Sequence, residues 1–204
     1  MTADFAASPV MHWAWRTFAP ALTGLRKRLP DTAGVKSVHS RETYIVSELV
    51  PHDVAVRFDV MEARRLLAVD AQGLQCWDRV LKATFPISAE TAARLFGIWH
   101  LALPGFEREH YSLTLFMEEI VGRSPDLHVA EVEKTRWPLV YEGCAAELAQ
   151  VAVNGVPMET FALEHAEEAV VLRALDALEL PYGPNISYPQ VIKEMLGIAA
   201  LPPA

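Results

Sequence analysis

Cysteine is scarce in this chain: Cys76 and Cys144 are the only two among 204 residues. They lie far apart, and neither belongs to a CxxC pair or a close His/Cys cluster. That argues against a structural zinc site and against a disulfide framework. Two thiols and a start, MTADFAASPVMHWAWRTFAP, without the basic and long apolar parts of a secretory signal fit a reducing cytoplasm. No uninterrupted apolar run reaches the roughly 18 residues of a membrane span, so no membrane contact is expected. Positive charge is also short: 18 Lys and Arg face 26 Asp and Glu, a net charge of −8. A protein held on nucleic acid by phosphate contacts is usually basic, so no nucleic-acid partner is expected. A local basic pocket can still hold an anion. The glycine-rich loops GxGxxG and GxxxxGK[ST] are missing, as is GxSxG. The histidines are scattered with none paired at i, i+4, which removes support for a zincin-type metal site.

What is present is ordinary globular composition, 51% hydrophobic and 22% charged. The length suits one large domain, or a domain carrying a helical insertion. Residues 1–35 read as a leader whose Trp13, Trp15 and Phe18 pack on the body. A short helix at most lies between Pro20 and Pro30, with a basic cluster at Arg26, Lys27 and Arg28. Residues 36–204 read as a single domain.

Alternating segments follow the leader. RETYIVSE around Thr43–Val46 and VAVRFDV at 54–60 have strand character. MEARRLLAVD is either a third strand or a helical turn, and QGLQCWDRVLKATFP carries a further strand ending at Pro86. SAETAARLFGIWHLAL is an amphipathic helix capped by Ser88, with Ala92, Leu95, Phe96 and Trp99 on one stripe. YSLTLFMEEIVG is either a helix starting near Ser112, the favoured reading, or a strand that turns helical, so a helical segment is expected at about 86–122. Strands are expected again at Leu127–Trp137, at Leu139–Val153 and at Thr160–Glu164, with an Asn154-Gly155 hairpin turn. HAEEAVVLRALDALEL gives the clearest helix, with Val170, Val171, Ala174, Leu175 and Leu178 as its apolar face. A loop and a short helix, YGPNISYPQVIKEMLG, end the pattern.

The late strands carry the chemistry. Lys134 and Arg136 are two apart and share one face of a strand. Glu147 lies in the next strand and Glu164 closes the one after. Charges of both signs repeated on one face suit a polar barrel interior that holds a metal and an anion. A solvated sheet face explains the same pattern.

The strings RETYIVSE, VAVRFDVMEARRLL, EKTR, GCAAELAQVAVNG, TFALE and NISYPQVIKEML together resemble the CYTH superfamily, the triphosphate tunnel metalloenzymes. The resemblance runs from about Ser37 to Gly197. It implies an α+β fold: an antiparallel CYTH-like β-barrel enclosing a tunnel, with an inserted helical segment and flanking helices. Members include class IV adenylyl cyclases, thiamine triphosphatases and inorganic triphosphatases. By resemblance, Arg57, Arg64, Lys134 and Arg136 would bind phosphate. Glu42, Glu147 and Glu164 would hold Mg or Mn.

The motifs are thinned. The family's opening Glu-x-Glu-x-Lys is here Ser40, Glu42 and Tyr44. A Lys-x-Arg strand has become Ala55 and Arg57, and the closing Glu-x-Glu has become Ala162 and Glu164. The expected function is binding of a triphosphate or another phosphorylated small molecule, with metal-dependent triphosphate hydrolysis where the chemistry survives. The alternative is an inactive CYTH-like fold used as a protein-interaction module.

Overall fold

The structure is a computed structural model that describes residues 11–30, 35–179 and 184–198. The outermost residues of the expected leader, its 31–34 stretch and the loop before Pro184 lie outside the described residues. Eight antiparallel strands close into a barrel: β1 (His12–Ala19), β2 (Val38–Ser47), β3 (Asp53–Arg57), β4 (Val60–Val69), β5 (Gln75–Thr84), β8 (Leu127–Tyr141), β9 (Cys144–Val153) and β10 (Val156–His165). Around the barrel the order is β1-β10-β9-β8-β2-β3-β4-β5, and β1 pairs with β5 to close it. Closure gives each of the eight barrel strands a hydrogen-bonded neighbour on both sides over part of its length. The α+β barrel with a helical insert read from the sequence is therefore the observed architecture.

One correction concerns the start of the chain. His12–Ala19 is a barrel strand, not a leader lying on the body. It pairs with β10 from Trp13–His165 to Ala19–Glu159. Its side chains alternate between the interior, with His12, Ala14 and Arg16, and an outer face where Trp15 is buried. Both faces are covered, so the strand lacks the polar/apolar alternation that would have marked it. The basic cluster after it, at the end of the short helix α1 (Thr23–Arg26), is engaged by carboxylates: Arg26 meets Glu159 at 2.8 Å and Arg28 meets Glu179 at 2.9 Å.

Three turns set the register. The stretch 54–60 is not one strand: Phe58 and Asp59, at φ 49° and 59°, form a two-residue hairpin between β3 and β4. Positive φ at both positions matches the right-handed twist of the flanking strands. β8 runs on through Pro138 to Tyr141 and turns at Glu142-Gly143. Pro138 lies beyond the last β2 partner, Val38 opposite Arg136, where β8 has a free side and proline is tolerated. The Asn154-Gly155 turn stands where the sequence placed it.

The helical insert lies between β5 and β8. It contains a two-stranded pair, β6 (Ile87–Ser88) with β7 (His110–Tyr111), helix α2 (Ala89–Trp99), and α3 (Leu113–Leu115) running into a π-helical turn at Phe116–Val121. Trp99, Phe116 and Tyr111 bury completely against the outer faces of β2 to β5. Each large apolar side chain buried this way contributes roughly 1.5–3 kcal/mol. On the other side α4 (Glu168–Ala177) packs Val171, Ala174 and Leu175 against Trp15, Leu148, Phe161 and Leu163.

A short helix, α5 (Tyr188–Met195), enters the barrel. Its Tyr188, Val191 and Ile192 cluster with Val46, Val132, Ala149, Val151 and Val153, the inward residues of one end. Gln190 caps it, accepting from the Ser187 backbone N–H at 2.7 Å and from its hydroxyl at 3.0 Å. Asn185 ties the segment to the wall: its side chain accepts from Arg16 N and donates to Ala14 O and Gly73 O. The buried Lys193 donates to Val50 O at 2.7 Å. With that end filled by apolar side chains, the interior polar space is confined to the other part of the barrel. Among the described residues, no helix is long and apolar enough to cross a membrane.

Candidate functional site

The remaining interior is a cavity of about 250 Å³. All eight residues singled out in the sequence line it: Glu42, Tyr44, Arg57, Arg64, Lys134, Arg136, Glu147 and Glu164. The strand period of two explains this directly, because Glu42 and Tyr44, Lys134 and Arg136, and Glu147 lie on the inward faces of adjacent strands. The cavity also takes Arg16 and His12 from β1, Asp53 from β3, Glu62 from β4, and Asn185, Ser187 and Tyr188 from the approach to α5. Arg16 was missed because its strand was read as a leader. Asp53 and Glu62 each stand two or four residues from a chosen arginine on the same strand face, which is the signal that could have found them.

At the floor sits a lysine between two tyrosines. Lys134 Nζ lies 2.7 Å from Glu42 Oε2 and donates to the Tyr44 hydroxyl at 2.7 Å. It stands 3.7 Å from the centre of the Tyr188 ring, a cation–π contact. Tyr44 in turn donates to Glu42 at 3.3 Å. Burial pulls the Lys134 ammonium down to about 8, against the opposing pull of Glu42. For Glu42, burial pushes the carboxyl up, but Lys134, Arg136 and Arg57 outweigh it and hold it below its usual range. The pair is therefore ionised at neutral pH.

A second centre gathers around Glu147. Arg16 reaches it at 3.4 Å and Arg136 at 3.7 Å, from opposite sides. Arg16 also lies 4.8 Å from the centre of the Tyr188 ring. Higher in the cavity Glu62 holds Arg64 at 3.0 Å, and Arg57 reaches Glu42 at 3.6 Å. Asp53 pairs with Arg64 in the β3–β4 register. Burial raises the Asp53 carboxyl, with Arg64 and Lys134 opposing in part.

Some donors have no acceptor. Arg136 Nε and the Tyr188 hydroxyl are buried without a hydrogen-bond partner. On the acceptor side, Asp53 Oδ1 is likewise buried without a donor. A buried donor left unmade costs about 1–3 kcal/mol, so such groups in a polar cavity ordinarily meet a ligand or ordered solvent.

The three glutamates expected to hold metal do not assemble a metal site. Among the described residues, no three His, Cys, Asp or Glu side chains are grouped to hold an ion. Glu42 is taken by Lys134, Arg57, Tyr44 and Ser40, and Glu147 by two arginines. Glu164 meets His12 at 3.8 Å. The donor set thus does not fit a divalent cation.

No family model matches the chain, and no curated protein matches it. Solved structures do. A proposed adenylyl cyclase from Hippeastrum, HpAC1, described as having a dominant triphosphatase activity, superposes with a TM-score of 0.51 at 13% identity, over 90% of this chain and 96% of that one. A proposed adenylate cyclase from Bacillus halodurans gives 0.46 at 13% identity, covering 94% of each chain. A protein from Pyrococcus horikoshii gives 0.44 at 12% identity, over 89% of this chain and 99% of that one. At 13% identity the likeness to the Hippeastrum protein shows a shared fold alone.

Proposed function

We propose that this chain, a barrel of the triphosphate-tunnel (CYTH) fold, binds a phosphorylated polyanion of the triphosphate class inside its cavity. The observation that carries the reading is the pair of buried donors, Arg136 Nε and the Tyr188 hydroxyl, which lack an acceptor in a cavity lined by five Lys and Arg side chains. A phosphate chain offers several acceptor oxygens, and charge-assisted bonds to arginine are the strong kind. Arg57, Arg64, Lys134 and Arg136 are the phosphate-binding candidates, and Arg16 joins them from β1. Tyr44 takes the place of a lysine without bringing charge, and its role is to hold Lys134 and Glu42 together. Glu42 and Glu147 act as counter-ions that keep the cations in place before a ligand arrives.

The likeness to a protein with triphosphatase activity supports the ligand class. The experiment is calorimetric titration of the purified protein with tripolyphosphate, ATP and thiamine triphosphate, with phosphate release followed in parallel. Saturable binding of at least one of the three is expected. Phosphate release would extend the reading to a hydrolase. No heat and no thermal shift with any of them would refute it and favour the interaction-module alternative.

A further inference from the structure

The fate of Glu42 separates this cavity from one that loads a metal with its phosphate. A metal-binding carboxylate needs free oxygens facing other oxygen ligands. Glu42 has neither oxygen to spare: Oε2 takes Lys134 Nζ and the Tyr44 hydroxyl, and Oε1 takes the Ser40 hydroxyl at 3.1 Å and Arg57 at 3.6 Å. Lys134 is 7% exposed and fixed between the Tyr44 and Tyr188 rings, so it cannot swing away to free the carboxylate. Two other carboxylates facing the cavity, Glu147 and Glu62, are paired with arginines. Glu147 bridges Arg16 and Arg136, Glu62 faces Arg64 and Arg79, and Glu164 faces His12. Asp53 Oδ1 is buried without a hydrogen bond, and Asp53 lies in register with Arg64.

Resting on the polyanion-binding reading above, we propose that Lys134 is a built-in cation standing against Glu42 where a divalent ion would otherwise be held. The cavity therefore takes its phosphorylated ligand as the metal-free polyanion. The neutralising charge comes from protein side chains fixed before binding. Tyr44 makes this arrangement possible. A lysine at that position would set two ammonium groups against each other, whereas the hydroxyl accepts from Lys134 and donates to Glu42.

The test uses the full chain and two probes, Mn²⁺ and tripolyphosphate. Mn²⁺ is titrated into the protein alone and followed by electron paramagnetic resonance, on wild type and Glu42→Gln. Tripolyphosphate is then titrated by calorimetry in chelator and in excess Mg²⁺. The expected results are no bound Mn²⁺ at micromolar metal, and a tripolyphosphate Kd in chelator equal to or lower than that in Mg²⁺. Two results overturn the proposal alone. One is Mn²⁺ bound by wild type and lost in Glu42→Gln. The other is affinity at least tenfold weaker in chelator and restored by Mg²⁺. Absence of tripolyphosphate binding in both buffers is a different result: it overturns the binding reading, and the proposal falls with it.

Discussion

Lys134 donates to the Tyr44 hydroxyl at 2.7 Å across the β2–β8 pair, and that same hydroxyl donates to Glu42. One tyrosine thus joins a buried ammonium to its carboxylate at a position where a lysine was expected. Tyr44→Phe removes both bonds and keeps the ring against Tyr188, 5.2 Å away between centroids. Leaving the buried pair partly unsatisfied costs about 1–3 kcal/mol. Urea unfolding should show a lower midpoint at unchanged slope.

Removing the charge itself should cost more. Lys134→Met leaves Glu42 buried with the half-exposed Arg57 at 3.6 Å and the field of Arg136 in place of its 2.7 Å partner. Breaking a buried pair from one side costs about 3–5 kcal/mol. The double variant Lys134→Met with Glu42→Gln should recover a large part of that loss. Denaturant unfolding of the four proteins in a double-mutant cycle measures the coupling.

The pH dependence follows from Lys134, which loses its proton near 8 in the folded protein. Its folded value lies below its unfolded one. The cost of keeping the ammonium buried is therefore fully present below about pH 8 and is relieved as pH rises from there toward the unfolded value. In that window the unfolded chain binds more protons, so this group's contribution makes stability rise with pH. Affinity for a polyanion should move the other way, falling as pH climbs through about 8 and the cation is lost. Titrations of tripolyphosphate at pH 7 and pH 9 check it, and Lys134→Met should flatten the difference.

The insert is predicted to be structural. Trp99 is fully buried against the outer wall of β2 to β5, away from the cavity. Trp99→Ala should destabilise by about 3–5 kcal/mol and leave the anion affinity of the folded fraction unchanged. Thermal unfolding and calorimetry on the same sample separate the two effects.

How much of this was legible in the sequence depended on the strand. β8 and β9 alternate cleanly, so Lys134, Arg136 and Glu147 could be put on one face, and the structure brings them together. The Asn154-Gly155 turn was readable because both residues tolerate positive φ. The Phe58-Asp59 turn was hidden because phenylalanine is a poor marker of that conformation. β1 was hidden because Trp13, Trp15 and Phe18 blur its alternation, and with it went Arg16, the second partner of Glu147. The occupancy of the glutamates by cations was beyond reach. Residue types on a face do not say which of several oppositely charged neighbours a side chain will meet; the barrel closure decides that by bringing β1 beside β10 and next to β5.

The most direct test is a calorimetric comparison of Arg136→Ala with Arg41→Ala, titrated with tripolyphosphate. Both variants lose one positive charge, but Arg136 lines the cavity while Arg41 lies on the outer wall beside Glu133. Binding in the cavity predicts that Arg136→Ala abolishes the wild-type binding heat and Arg41→Ala retains it. Equal affinity in both variants, or equal loss in both, would contradict a site inside the barrel.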